Sequence, residues 1–121
     1  MTSYKRGAVV LVPFPFTDLS AIKRRPALVI SIDRYNLLTG DVVIAQITSK
    51  VDSPPRPGDH RVGRWQDAGL VAPSLTRARV TTLHSSVVIR QLGVMPAADL
   101  TQIDAAIGSA LGLQPLVRDA S

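Results

Sequence analysis

Short apolar runs, each ended by proline, glycine or a cluster of polar residues, recur through the first 94 residues of this chain. Runs rich in Val, Ile and Leu with such boundaries are typical of β-strands. Proline cannot donate a hydrogen bond to a strand ladder, so Pro13 and Pro15 require the first run to end there or to lie at a sheet edge. The sequence predicts five or six short strands, over residues 8–12, 27–32, 41–49, 60–63, 74–83 and 87–94.

The last part of the chain has a different periodicity. Leu100, Ile103, Ile107 and Leu111 recur at steps of three or four residues, which predicts one apolar helix face over residues 96–111. Short strands followed by one helix indicate a mainly β (α+β) fold, a small barrel or half-barrel with the helix packed against it. The 121 residues suggest one domain, with the barrel at about 6–94.

Composition excludes several classes of protein and site. There is no cysteine, so the chain has no disulfide, no thiolate nucleophile and no Cys-ligated zinc. No apolar run approaches the length that crosses a membrane, so we expect no membrane association and allow a cytoplasmic location. The net charge is +5, and thirteen of the fourteen Lys and Arg residues lie within residues 1–94. This excess of positive charge in the strand-rich part favours a polyanionic partner.

Two cations precede the second strand. Pro26 fixes its own backbone and restricts Arg25 to an extended conformation, and the apolar run from Ala27 to Ile32 follows at once. A guanidinium held at the end of a rigid strand is well placed to bind phosphate. The alternative is that Arg24 and Arg25 are only the solvated end of a loop.

Most other catalytic signatures are absent from the sequence. His60 and His84 do not have the spacing of metal ligands, so we expect no metal and no cofactor. There is no glycine-rich phosphate loop and no nucleophile elbow. What is left is a set of polar residues at predicted strand ends, each of which also has a purely structural interpretation. They are Arg25, Thr48, Ser49, Ser74 and Arg77.

Several short segments, taken in order, carry a resemblance to a known family. They are Arg6-Gly7, Phe14-Pro15-Phe16-Thr17-Asp18-Leu19, Arg24-Arg25-Pro26-Ala27-Leu28-Val29, Tyr35-Asn36 with Thr39-Gly40, Gln46-Ile47-Thr48-Ser49, Trp65, Gly69-Leu70, Pro73-Ser74 and Leu111-Gly112-Leu113. In this ordered combination the chain resembles the MazF/PemK toxins of bacterial toxin–antitoxin pairs over nearly its whole length.

The resemblance implies a fold, an activity and partners. The fold would be an SH3-like barrel of five to seven strands with a C-terminal helix, usually a homodimer. The activity would be metal-independent cleavage of single-stranded RNA, with catalysis by Arg25 and Thr48. The partner would be an antitoxin whose acidic C-terminal segment covers the RNA groove. The residues expected to line that groove are Phe16, Asp18, Lys23, Arg24, Ser49, Lys50, Ser74 and Arg77.

The chemistry of metal-free RNA cleavage agrees with these assignments in all but one step. The 2′-hydroxyl is the nucleophile, so the protein needs only to position the substrate, stabilise charge and move protons. Arginine is a poor general base because its pKa is above about 12. His60 and Asp18 are the two candidates for that role, and a solvated loop histidine is the alternative for His60.

The sequence departs from the family pattern in two places. Ile22-Lys23-Arg24 replaces the acid that some members carry before the Arg-Pro pair, and residues 74–83 match loosely, which makes contacts by Arg77 and Arg79 less secure. Two other functions stay open, because fold does not decide between them. One is a catalytically silent barrel that binds nucleic acid or an antitoxin. The other is a gyrase-targeting toxin of the same fold, which we expect to act through a C-terminal helix whose apolar residues here look committed to the core.

Overall fold

A computed structural model describes residues 3–14 and 23–113 of the chain. Within these ranges the strands are β1 (Ala8–Phe14), β2 (Lys23–Val29), β3 (Asp41–Thr48), β4 (His60–Arg61), β5 (Leu75–His84) and β6 (Arg90–Val94). The helices are α1 (Asp33–Thr39) and α2 (Ala97–Ala110), and a 3₁₀ turn covers Ser85–Val87. No helix in the described part of the chain is both long and apolar enough to cross a membrane.

All six strands join one antiparallel sheet in the order β4-β5-β3-β2-β1-β6. In a flat sheet, β5 and β6 would lie about 19 Å apart, at about 4.8 Å per strand. The link Ser85–Ile89 contains a 3₁₀ turn and is shorter than that. The sheet therefore curls into a half-barrel, which confirms the predicted mainly β architecture.

The central strands bury side chains on both faces. One face carries Val9, Leu28, Ala45 and Ile47, which pack beneath α2, and we call it the α2 face. The opposite side, called the far face, carries a second buried cluster, Ala8, Val10, Val12, Ala27, Val29, Val42 and Ile44. Val88 of the β5–β6 link covers part of the far face, and the Ile89 N–H donates to Leu11 O at 2.8 Å.

Helix α2 covers the α2 face through two fully or nearly fully buried side chains, Ile103 and Ile107. Leu100 packs partly against the same cluster, as the helical spacing predicts. The expectation that Leu111 belongs to the core is wrong. Leu111 follows the last helical residue and is 56% exposed, because α2 ends at Ala110 before its side chain can face the sheet.

Helix α1 occupies a segment that the sequence predicts as an irregular connection. Gly40, in the left-handed region at φ 74°, ends α1, and its N–H donates to Asn36 O at 3.0 Å. Asn36 is buried, and its amide donates to Tyr4 O at 2.8 Å. Leu37 and Leu38 are 70% and 73% exposed, so α1 has no apolar face directed at the core. Periodicity therefore gives no signal for this helix.

Two strands predicted as continuous also differ in extent. β2 begins at Lys23 and ends at Val29, earlier at both ends than the predicted 27–32. Residues 85–87 form the 3₁₀ turn, and only Arg90–Val94 of the predicted strand 87–94 pairs, with β1.

The turn that contains Trp65 packs tightly onto β6. Trp65 is partly buried against the α2-face cluster. A Cβ at Gly69 would lie 2.2 Å from Leu92 O, and a Cβ at Gly93 would lie 2.5 Å from Ala68 O. Only glycine permits this approach of two backbones, which closes one edge of the core.

We expect Gly93→Ala to lower the free energy of unfolding by about 1–3 kcal/mol, because the new methyl group would displace the Ala68 backbone. The control is Gly108→Ala in α2, where an added Cβ meets nothing within 4 Å. That change should raise stability by about 0.5–1 kcal/mol through helix propensity. Urea denaturation of both variants is the measurement, and an unchanged Gly93→Ala midpoint would contradict the packing described.

Candidate active site

The register of the sheet brings the two predicted catalytic residues to the same place. β2 pairs with β3 at Val29↔Ile44, Leu28↔Ala45 and Ala27↔Gln46. The described pairing stops there, next to Pro26, which has no N–H to donate. Extending the same register by two residues places Arg25 opposite Thr48. Since alternate residues share a face, both lie on the far face, beyond the end of the apolar cluster.

Strand β1 holds the basic end of β2 in place. Its pairing with β2 continues through Val12↔Arg25, Pro13↔Arg24 and Phe14↔Lys23. Arg25 is half-buried, whereas Lys23 and Arg24 are exposed. One side of Arg25 is therefore fixed by a ladder, and its other side lies where the β2–β3 pairing has ended.

Thr48 is the last residue of β3 and is 5% exposed. Its Oγ1 accepts a hydrogen bond from the Lys50 N–H at 3.2 Å. A hydroxyl that accepts one hydrogen bond can still donate its proton to another acceptor. Ser49 and Lys50 follow on the exposed side of the turn. Thr48 is thus a positioned neutral donor beside a cluster of cations.

Two predicted groove residues, Arg77 in β5 and Ser74 just before it, are both buried. The Ser74 hydroxyl donates to Ala72 O at 2.9 Å, a local turn contact. Arg77 is 7% exposed; its Nη2 donates to Ser53 Oγ at 2.6 Å and its Nε lies 3.3 Å from Asp59 Oδ1. Their contact with RNA stays a prediction, and what the structure shows for Arg77 is a tie between β5 and the loop before β4.

Phe16 and Asp18, also predicted to contact RNA, lie outside the described residues, as does most of the loop 14–23. Of the predicted site residues, the structure brings together Lys23, Arg24, Arg25, Thr48, Ser49 and Lys50 at one end of β2 and β3. Within residues 3–14 and 23–113, no three His or Asp side chains are grouped as a metal site would require.

His60 lies on the other side of the sheet from this site. Its partner in β5, Thr76, pairs with Ile47 on the α2 face. Its Nε2 is 2.9 Å from Asp99 Oδ1 of α2. The suggestion that His60 is the general base beside Arg25 and Thr48 is therefore wrong, because the ring joins β4 to α2 instead.

Asp99 has a lowered pKa although it is buried. Desolvation alone would raise the pKa of this carboxyl, but hydrogen bonds from the His60 side chain and from the N–H groups of Gly63 and Arg64 outweigh it. The two backbone distances to the carboxylate are 2.8 and 3.2 Å. The carboxylate therefore fixes the turn after β4 against the start of α2.

Sequence reasoning did not identify Ser53, Asp59 or Gln46 as neighbours of the site. Ser53 and Asp59 stand in a proline-rich loop that carries no catalytic pattern. Gln46 faces an irregularity in β5, where residues 77–79 stand opposite one residue of β3. The Gln46 Oε1 atom is buried and makes no hydrogen bond. Only the fold brings Ser53 and Asp59 to Arg77 and sets Gln46 opposite residues 77–79.

The sequence model of one family matches residues 5–111, and its description is "PemK-like, MazF-like toxin of type II toxin-antitoxin system". The chain belongs to this family. None of the curated proteins matches the chain significantly.

Solved MazF structures share the fold of this PemK-like, MazF-like toxin. MazF of Deinococcus radiodurans is 27% identical, with a TM-score of 0.73, covering 93% of this chain and 100% of the other. A chain of the MazE–MazF complex of that organism is 26% identical at the same TM-score and coverage. An endoribonuclease from Mycobacterial species is 25% identical, with a TM-score of 0.74 and coverage of 95% and 98%.

The lowered pKa of Asp99 predicts how the free energy of unfolding of this toxin depends on pH. A carboxyl whose folded pKa is depressed stabilises the fold above its unfolded pKa, and this contribution disappears as pH falls through the folded pKa. We expect Asp99→Asn to cost about 1–2 kcal/mol at pH 7, because the charged acceptor is lost.

The difference between wild type and Asp99→Asn should then shrink as pH falls below 3.8, the ordinary Asp value. Urea denaturation at a series of pH values measures it. A difference that stays constant from pH 7 to pH 2.5 would contradict this account of Asp99.

Proposed function

We propose that this toxin is a metal-independent endoribonuclease that cleaves single-stranded mRNA. The observation that carries the proposal is the β2–β3 register, which ends at Ala27↔Gln46 and, extended by two residues, places Arg25 opposite Thr48 at the basic end of β2. Family membership and the likeness to an endoribonuclease from Mycobacterial species support it. A protein that only binds RNA has no need for a half-buried guanidinium beside a fixed hydroxyl.

In the proposed reaction, the 2′-oxygen of RNA attacks the adjacent phosphorus and the bond to the 5′-oxygen breaks. The products are a 2′,3′-cyclic phosphate and a free 5′-hydroxyl, so one proton leaves the 2′-oxygen and one reaches the 5′-oxygen. Arg25 binds the non-bridging phosphate oxygens, on which negative charge builds up in the transition state. The Thr48 hydroxyl donates a further hydrogen bond to the same group.

A base must also accept the 2′-proton. Arg25 is unsuited because arginine stays protonated in proteins. With His60 placed on the α2 face, Asp18 is the candidate that the sequence leaves for this role. In the sequence, Asp18 stands a few residues before the start of β2, the strand that carries Arg25.

The exposed cations beside the site also suit the partner of a toxin. Lys23, Arg24 and Lys50 carry positive charge at one end of the sheet, so an acidic antitoxin segment would be attracted to the same surface as RNA. Structures of MazE–MazF complexes among the similar proteins support an antitoxin partner. A homodimer and a cytoplasmic location belong to the same proposal, by resemblance to the family.

We expect Arg25→Ala and Thr48→Ala each to slow RNA cleavage by about 100-fold or more, because each removes a donor to the developing charge. A long mixed-sequence RNA is incubated with each protein in EDTA, and the product ends are mapped. Arg34→Ala is the matched control, since Arg34 is an exposed arginine of α1, which connects the end of β2 to the start of β3, opposite the end that carries Arg25 and Thr48.

Three outcomes of that experiment are distinguishable. Cleavage at discrete sites by wild type and Arg34→Ala alone supports the proposal. RNA binding without cleavage by wild type would favour a silent binding protein. Equal cleavage by all four proteins would overturn the assignment of Arg25 and Thr48.

Binding of single-stranded RNA should weaken steeply with salt, because phosphate contacts release counterions. Each cation that contacts phosphate contributes about 0.7 to the slope of log affinity against log salt concentration. We therefore expect Lys50→Gln to reduce the slope by about that amount, and Lys5→Gln, near the opposite end of β2, to leave it unchanged. Fluorescence anisotropy at several salt concentrations measures both, and equal slopes would contradict the placement of Lys50 in the groove.

A further inference from the structure

A continuous series of hydrogen bonds joins Arg77 to Thr48. Arg77 Nη2 donates to Ser53 Oγ at 2.6 Å, and the Ser53 hydroxyl donates to Lys50 O at 2.8 Å. The Lys50 N–H then donates to Thr48 Oγ1 at 3.2 Å. The series crosses from β5 to the end of β3 through one loop and ends on the hydroxyl assigned to catalysis. We call it the Arg77 relay.

The Arg77 relay starts from a buried ion pair. The Arg77 and Asp59 side chains are each 9% exposed, and Nε lies 3.3 Å from Oδ1. Neither of these two atoms makes a well-directed hydrogen bond, so the pair is not built for the strongest attraction. Burying two charges costs free energy that such a contact does not fully return. This points to a role in geometry more than in stability.

Asp59 anchors the other end of the same loop. Its Oδ2 accepts a hydrogen bond from the Arg56 N–H at 2.9 Å, and its own N–H donates to Arg56 O at 3.0 Å. The loop 49–59 is therefore attached to Arg77 at two points, Ser53 and Asp59. Side chains on a loop are positioned less precisely than side chains on a strand, and attachment to β5 corrects this for Lys50.

The burial of Arg77 separates this role from direct contact with RNA. Its charge is balanced by Asp59, and its Nη2 and Nε are directed at Ser53 and Asp59. Arg77 is only 7% exposed, so little of its guanidinium is accessible to a phosphate. By contrast, Lys23, Arg24 and Lys50 are exposed at the same end of the sheet and are accessible to phosphate.

We propose that Arg77 is a positioning residue for the ribonuclease reaction: through Ser53 and the Lys50 backbone it holds the Thr48 hydroxyl in its catalytic orientation. The inference rests on the proposed function and deepens it. Because the Lys50 N–H occupies one acceptor direction of Thr48 Oγ1, it restricts where the hydroxyl proton points. Without the Ser53 hydroxyl the Lys50 carbonyl keeps only the longer hydrogen bond from the Ser53 N–H, at 3.4 Å, so the turn that presents the Lys50 N–H is held less firmly.

The test compares Ser53→Ala, Arg77→Lys and the double variant with wild type. Ser53→Ala removes the relay but keeps the Arg77–Asp59 ion pair. Arg77→Lys keeps the positive charge but loses the several N–H donors of the guanidinium. Ser109→Ala and Arg34→Lys are matched controls, since both residues are exposed and lie on helices away from the site. Ser53→Thr restores a hydroxyl and serves as the conservative variant.

We expect kcat to fall by roughly 10- to 100-fold in Ser53→Ala and Arg77→Lys, the effect of a misplaced catalytic group. Affinity for an oligonucleotide with 2′-deoxyribose at the mapped cleavage site should change less than twofold. The double variant should be no slower than the slower single variant, because both changes break one series. Ser53→Thr should recover most of the rate, and thermal denaturation should show every variant folded.

Direct binding of RNA by Arg77 predicts a different pattern and would overturn the proposal. Ser53→Ala would then keep the wild-type kcat. Replacement of Arg77 by Gln would weaken RNA affinity and lower the salt slope by about 0.7, as for any cation on a phosphate.

A second measurement separates failure of this inference from failure of the ribonuclease proposal. Amide hydrogen exchange at Lys50 reports the last bond of the Arg77 relay and needs no RNA. Faster exchange at Lys50 in Ser53→Ala and Arg77→Lys, with unchanged exchange in both controls, supports the relay even if the wild type cleaves nothing. Unchanged exchange at Lys50 would overturn it.

Discussion

Burial of both faces of β1, β2 and β3 is the constraint on which the rest of the structure depends. Neither face of these strands can meet water, so α2 must cover one and the curled sheet with the β5–β6 link must enclose the other. The apolar area that these covers remove from water supplies the main driving force for folding. The same requirement keeps the three strands in one register.

The candidate site lies where that constraint ends. Beyond Ala27 and Gln46 the side chains of the far face change from Val, Ile and Ala to Arg25 and Thr48, and Pro26 removes a donor from the ladder. Polar atoms can approach a substrate there because the strands no longer need to enclose a core. The last β2–β3 pair is two residues away, and so the sheet limits how far these side chains can move.

Buried polar contacts attach the loop before β4, and β4 itself, to the rest of the fold. On the α2 face, His60 and Asp99 fasten β4 to α2, and on the far face, Arg77 and Asp59 fasten the loop before β4 to β5. Since Asp59 directly precedes β4 and His60 is its first residue, the two attachments start from adjacent positions of the chain. The position of loop 49–59 next to Thr48 is thereby connected to the packing of α2.

The sequence by itself determined the strand-rich order, the terminal helix and the basic end of β2, because periodicity, proline positions and charge are local properties. It also placed Arg25 and Thr48 together, through family motifs. It did not determine α1, whose leucines face solvent, the exposed position of Leu111, or the place of His60 on the α2 face. Only the tertiary structure decided that Arg77, Ser53 and Asp59 meet, since contacts between a loop and a strand 18 to 24 residues away depend on the curl of the sheet. That curl follows from enclosing two apolar faces at once, which no local pattern of residues encodes.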